Sequence, residues 1–412
     1  MKGQYWFPLF LVIAVLGGLL AGQWLSSSEY SFLAGDQEVE ETDILVESLE
    51  GELEAGTYFV FQTREVIDVG EDRAANDDTE ENRFYALFAG EDEPVEFASI
   101  ERGPEFSGGL TSYIYGQEIL LHRYQTNRVY DPVTRRPTDG EELDGIMSLT
   151  GEIVDVVEEN WGTIRSANGR YQVDWDSPYD EVDLSLSMTD LETGEVTKID
   201  DALFALDESR WDYEPFLIDD EGAYMYVREI CGCEAQLRGL WEVHVQTGEV
   251  RKISDLVEIQ SWTMTSVNPD ARTMIAIMTD EESSTEGPGT IVLPPSHVQL
   301  ADLATGEVVT ILEDRESTYA SPHLDPVNAT RFVAKKDGEW NLVSFDGEEI
   351  VHTPLGIEGW VMDWVHEWLV IYQWDQEKQQ RTYYLMNVDT GVRERVEGLP
   401  GDPTYVGAIT ID

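Results

Sequence analysis

The sequence predicts an all-β protein: a β-propeller of about seven four-stranded blades, preceded by one N-terminal hydrophobic helix, transmembrane or signal. Three observations lead there. Four segments share the pattern Gly-Glu-[Val/Ile]-x-x-[Ile/Val] after a threonine, beginning at Gly151, Gly194, Gly248 and Gly306. Weaker copies at Gly90, Gly347 and Gly391 extend the series, with successive gaps of 61, 43, 54, 58, 41 and 44 residues. A blade needs roughly 40–50 residues, so the longer gaps require insertions. Between the glycines no stretch keeps a helical period.

The chain opens with Tyr5 to Leu25, 21 residues without a charge, where a spanning helix needs about 20. Tyr5, Trp6 and Trp24 stand where headgroups would lie, and Lys2 in front places the rest outside the cytoplasm. A cleavable signal peptide is the rival reading; leucine two positions before the best cleavage site, near Ala21-Gly22, favours an uncleaved anchor. Residues 1–25 are therefore read as anchor or signal segment, 26–54 as an acidic spacer, and 55–412 as the propeller.

Each repeat reads strand, polar turn, strand, variable loop, strand, Thr-Gly turn, strand. An apolar residue sits three positions before the glycine (Leu191, Val245, Leu303, Val388), and a turn-capping type one position earlier (Asp190, His244, Asp302, Asn387). The glycine supplies the positive φ of a short hairpin loop. Upstream come polar turns such as Ser166-Ala-Asn-Gly-Arg, Asp219-Asp-Glu-Gly and Asp325-Pro-Val-Asn, and an aromatic often opens the first strand: Trp161, Trp211, Trp262, Tyr319, Trp360. The last segment, Thr404 to Asp412, has no Thr-Gly partner and is expected to close the ring as the inner strand of the first blade, beside Tyr58 to Phe61. Four insertions, Glu65 to Asn82, Thr126 to Gly145, Cys231 to Arg238 and Asp280 to Ser296, fall between second and third strands and so on one face of the ring.

The turn Asn268-Pro-Asp-Ala-Arg272, followed by Leu300-Ala-Asp-Leu-Ala-Thr-Gly-Glu-Val308, resembles the TolB-type, WD-repeat-like propeller repeat. The resemblance spans about residues 55 to 412 and is sharpest from about 145 to 312. It implies a fold and a tendency to bind other proteins, and no reaction.

Composition narrows the partners. With 83 Asp+Glu against 26 Lys+Arg the net charge is −57, which excludes nucleic acid and leaves residues 5–25 as the only membrane contact. The acidity runs along the whole chain, which favours adaptation to salt over dedicated cation sites. The melting temperature is then expected to climb steeply with added potassium chloride; a flat thermal-melt series would favour specific cations.

Asp174, Asp176, Asp180 and Asp183 are the tightest oxygen-ligand candidates, for calcium. No other cofactor is implied. Cys231 and Cys233 suit a strained disulfide or two loop thiols better than a metal. His366-Glu367 lacks the second histidine of a zinc-protease helix, since position 370 is valine. Trp360, Trp364 and Trp368, four apart, read as core of the last blade. The function expected is an extracytoplasmic, membrane-anchored, non-catalytic scaffold that binds a protein or small ligand at the loop rim. The alternative is a propeller hydrolase or lyase with an acidic site at the axial channel mouth.

Overall fold

The structure, a computed structural model, describes residues 53–68, 79–91, 93–102, 110–123, 129–130, 137–138, 143–157, 163–176, 185–199, 212–231, 234–253, 265–279, 296–312, 319–345, 349–377 and 379–411. The N-terminal hydrophobic segment and residues 26–52 of the acidic spacer lie outside these residues. Among the described residues no helix is long and apolar enough to cross a membrane.

Among the described residues thirty strands form seven four-stranded antiparallel sheets and one small hairpin. Blade one holds β1 (Gly56–Asp68), β2 (Thr79–Phe88) and β3 (Val95–Arg102). Blade two holds β4 (Leu110–Tyr115), β5 (Glu118–Arg123), β8 (Leu143–Met147) and β9 (Ile153–Val157), with the hairpin β6 (Val129–Tyr130) and β7 (Pro137–Thr138) inserted between β5 and β8. Blade three is β10 (Thr163–Arg165), β11 (Tyr171–Asp176), β12 (Ser185–Asp190) and β13 (Glu195–Ile199). Blade four is β14 (Asp212–Ile218), β15 (Tyr224–Cys231), β16 (Glu234–His244) and β17 (Glu249–Lys252). Blade five is β18 (Thr265–Asn268), β19 (Thr273–Thr279), β20 (Ser296–Asp302) and β21 (Glu307–Leu312). Blade six is β22 (Tyr319–Leu324), β23 (Arg331–Lys336), β24 (Glu339–Phe345) and β25 (Ile350–Pro354). Blade seven is β26 (Trp360–Val365), β27 (Trp368–Asp375), β28 (Gln380–Asn387) and β29 (Arg393–Arg395).

The chain then returns to the start: β30 (Thr404–Ile411) pairs antiparallel with β1, Tyr58 opposite Ile409 and Phe61 opposite Tyr405. The first sheet reads β3-β2-β1-β30, so the C-terminal strand closes the ring from the inside, as the sequence predicts.

At four of its copies the Thr-Gly motif is a five-residue turn between the third and fourth strands; at Gly151 the turn is tighter, the N–H bonding the Ser148 carbonyl. Gly194, Gly248, Gly306 and Gly391 donate their N–H to the carbonyls of Asp190, His244, Asp302 and Asn387. Each glycine has φ between 69° and 76°, a region that costs a side chain energy. The carboxylates of Asp190 and Asp302 accept two turn N–H groups each, and the threonine hydroxyl accepts the N–H two residues on. The recurring tripeptide is thus a backbone-satisfying device. The copy at Gly347 lies outside the described residues.

Strand residues alternate between two neighbouring blades, which makes the runs apolar on both faces. Tyr58 and Val60 enter the cluster shared with Ile119, Leu121 and Met147 of blade two. Phe59 and Phe61 enter the cluster shared with Val370, Tyr383 and Leu385 of blade seven. Similar clusters fill the interfaces from blade three round to blade seven.

Polar turns between first and second strands are also tied to one another. Asn168 donates to Asp220, the Asp220 N–H to Asp270, and the Asn268 amide to the carbonyl of Pro326, each at 2.8–2.9 Å. His366 and Gln117 both meet Thr410 of the closing strand. His366 itself stands at the β26–β27 turn with φ 51°, in no helix.

His323 on β22 is pressed beside the Trp340 ring, and burial lowers its pKa from 6.5 to about 4. The unfolded chain therefore takes up this proton before the folded one does. Stability should be full above pH 6.5 and fall as the pH drops toward 4, by about 3 kcal/mol in total. Denaturant melts of wild type and His323→Gln across that range should show the variant losing this slope; identical slopes would contradict it. Burial raises the Asp363 carboxyl, an effect of opposite sign common to both proteins.

Candidate ligand-binding site

Antiparallel four-stranded blades place the second-to-third-strand loops and the blade-to-blade connections on one face. The four insertions join β1 to β2, β5 to β8, β15 to β16 and β19 to β20, and most of their residues lie outside the described ones. Two of them are shorter loops than the sequence suggests. Glu65 and Val66 pair with Glu81 and Glu80, and Cys231 pairs with Glu234, so strand hydrogen bonding carries both hairpins outward. Alternating acidic and β-branched residues extend the strands where acidity alone reads as loop.

The same face carries a cleft of about 450 Å³ on blade seven. Its floor comes from the β25–β26 connection (Glu358, Gly359), the start of β26, the end of β27, and facing parts of β28 and β29. Trp360 and Trp374 line it at 47% and 43% exposure, with Tyr372 and Tyr384 beside them. Trp360 thus corrects the core reading of the tryptophan series. Trp364 is buried, and Trp368 packs against the blade-one interface. A β-bulge between Val361 and Asp363 turns the two rings to opposite faces of β26, Trp360 standing opposite Tyr372 and Trp364 opposite Leu369.

Polar groups in the cleft are held in place. Gln373 accepts a 3.1 Å hydrogen bond from the Arg393 guanidinium, whose carbon lies 3.8 Å from the centre of the Tyr384 ring. Lys335 of blade six places its Nζ 4.2 Å from the centre of the Trp360 ring. The Trp340 indole N–H donates to the Gly359 carbonyl and fixes the connection. Thr382, opposite Gln373, is buried, lines the cleft, and its hydroxyl has no hydrogen-bond partner within the protein. A buried hydroxyl ordinarily has one.

Gly359 is required by this geometry. Its φ is 136°, and a Cβ would stand 2.3 Å from the Tyr372 carbonyl oxygen. Gly359→Ala should lower stability by about 2 kcal/mol and distort the cleft wall; an unchanged denaturation midpoint would refute it.

A second constellation lies on the innermost strands. The Tyr405 hydroxyl donates to the Asp363 carboxylate at 2.9 Å, and the Tyr405 N–H donates to the Tyr383 hydroxyl. Burial pushes both the Asp363 carboxyl and the Tyr405 phenol up. These bonds join blade seven to the closing strand.

Of the proposed calcium ligands, Asp174 lies on β11 and accepts the Gln172 amide at 2.8 Å; Asp176 ends that strand. Asp180 and Asp183 lie outside the described residues, as does Cys233. Among the described residues no three His, Cys, Asp or Glu side chains gather to hold a metal. The cleft is legible only in the fold, because its residues come from four strands; the two-residue spacing of Tyr372 and Trp374 on an amphipathic strand is its one sequence signal.

No family profile and no curated protein matches the chain. Solved structures similar to it include TolB from Acinetobacter baumannii, 11% identical, TM-score 0.37, with 85% of this chain and 66% of TolB covered. The chain thus spans just under two thirds of that protein's length. The β-propeller domain of the trilobed protease from Pyrococcus furiosus is 11% identical, TM-score 0.45, covering 84% and 93%. An oligogalacturonate lyase in complex with manganese is 13% identical, TM-score 0.44, covering 83% and 86%. The seven-bladed architecture of this chain rests on its own strand pairing.

Proposed function

We propose that the chain is a non-catalytic binding module, held outside the cytoplasm by residues 5–25, that receives its ligand in the blade-seven cleft. The observation that supports this reading is the pair of half-exposed tryptophans at a concave site on the loop-bearing face, backed by fixed polar groups. Exposed indoles are costly in water and are characteristic of binding surfaces. The enzyme alternative would set its chemistry on the inner strands, where Asp363 and Tyr405 instead spend their hydrogen bonds on joining two blades.

A photoreactive benzophenone amino acid in place of Trp374, in the full chain in its native membranes, tests the reading. Position 374 should yield a defined mass adduct, and the same probe at exposed Val392 should not. The chain should leave the membrane fraction when residues 1–25 are removed. Equal labelling at both positions, or a full chain that is already soluble, would count against it.

A further inference from the structure

We propose that Asn328 is an N-glycosylation site, and that the chain carries an oligosaccharide linked through the Asn328 amide nitrogen. This rests on the reading above that places the propeller outside the cytoplasm. Of the nine asparagines in the sequence, only Asn328 has a hydroxyl residue two positions on, in Asn328-Ala-Thr330, with no proline between. Such a tripeptide arises often by accident. Its setting in the fold singles this one out.

Three asparagines stand at or in turns between first and second strands, and two of them spend their amide inside the fold. Asn168 Nδ2 donates to the Asp220 carbonyl at 2.8 Å, and Asn268 Nδ2 to the Pro326 carbonyl at 2.9 Å. Asn328, between β22 and β23, is exposed, as is Thr330, and Val327 beside it is 74% exposed. Its Oδ1 accepts the Thr330 hydroxyl at 2.7 Å and the Thr330 N–H at 3.0 Å. Nδ2 has no partner among the described residues. The carboxamide is thus held by its oxygen while its nitrogen stays available. The turn behind it is fixed. Fully buried Asp325 accepts the Val327 and Asn328 N–H groups at 2.8 Å each and bonds the Arg331 guanidinium at 2.7 Å.

A sugar attached here displaces no packed side chain. First-to-second-strand turns also lie on the face opposite the cleft, so the cleft stays open. The donor is a lipid-linked oligosaccharide phosphate, and a membrane oligosaccharyltransferase carries out the transfer. A bond forms between Nδ2 and the anomeric carbon, and the bond from that carbon to the phosphate oxygen breaks. The lipid phosphate leaves with the electron pair, and one Nδ2 proton passes to a base of the transferase.

The test is mass spectrometry of the full chain taken from its native membranes. The tryptic peptide 316–331 has Asn328 as its one asparagine. It should gain the mass of a whole number of sugar residues, and electron-transfer fragmentation should place them on position 328. Asn328→Gln and Thr330→Ala should each abolish the gain, and Thr330→Ser, which keeps the hydroxyl, should retain it. Asn387, whose Oδ1 accepts a threonine hydroxyl three positions on, should carry no sugar. A membrane-impermeant amine label on intact cells separates the two readings. An unmodified peptide from a chain that the label reaches overturns the proposal and leaves the exported binding module standing. Sugar that persists in both Asn328→Gln and Thr330→Ala also overturns it. A chain that the label does not reach overturns both readings.

Discussion

Removal of residues 404–412 is expected to abolish the cooperative unfolding transition of the whole propeller. The strand β30 supplies the inner partner of β1 over Gly56 to Gln62. Without it that edge exposes unpaired backbone groups at the ring's centre. The loss extends to two blade interfaces. Ile409 is buried in the cluster shared by blades one and two, while Tyr405 and Ala408 pack in the cluster shared by blades seven and one. Burial of one large apolar side chain contributes about 1.5–3 kcal/mol, so loss of the segment removes a large share of the roughly 5–15 kcal/mol by which a domain is ordinarily stable. Asp363 would also keep its buried carboxyl without Tyr405. A single residue probes the same seam. Gly407 has φ 148°, and a Cβ there would meet the Ile114 side chain of blade two at 2.3 Å. Gly407→Val should destabilise the fold severely, where Gly391→Val, strained but with nothing within 4 Å, should be milder. Circular dichroism melts decide it: a truncated chain that melts as the full one does would refute closure by this strand.

Glu242→Ala should cost about 3–5 kcal/mol, the usual consequence of removing one partner from a buried ionic network. Glu242 on β16 is 4% exposed and accepts hydrogen bonds from the Tyr226 hydroxyl at 3.1 Å and from Arg251 and Arg272 at 2.8 Å each. Arg272 lies in the turn that leads into β19, the second strand of blade five. Its guanidinium lies 3.7 Å from the centre of the Tyr224 ring and also donates to the Leu303 carbonyl. The network therefore staples blade four to blade five. Loss of the carboxylate would leave two guanidinium groups and a phenol without their acceptor. The outward-facing Arg170–Asp190 pair has the same partners in kind, yet in water it is screened. Arg170→Ala should leave the denaturation midpoint almost unmoved. Equal effects of the two substitutions would remove the argument from burial.

The repeat is visible in sequence because its turn is chemically demanding. Only glycine accepts the left-handed position cheaply, and Asp, Asn and Thr bond the turn N–H groups, so Asp302-Leu-Ala-Thr-Gly306 and Asn387-Val-Asp-Thr-Gly391 look alike in residue type alone. The closing strand is visible by arithmetic: one apolar segment remains after the last repeat. Strand length at Glu65–Val66 is less visible, because acidic residues mask pairing that the hairpin imposes. The cleft is least visible. Trp360 has the same local pattern as buried Trp364, and what separates them is the β-bulge between Val361 and Asp363, which reverses the alternation of faces along the strand.

Hydrogen exchange of the intact chain, read strand by strand, tests the closed ring most directly. Closure predicts that the amides of 404–411 exchange as slowly as those of 56–62, both at the rate of global unfolding. Rapid exchange of 404–411 beside protected blades two to seven would show an open ring and contradict the account.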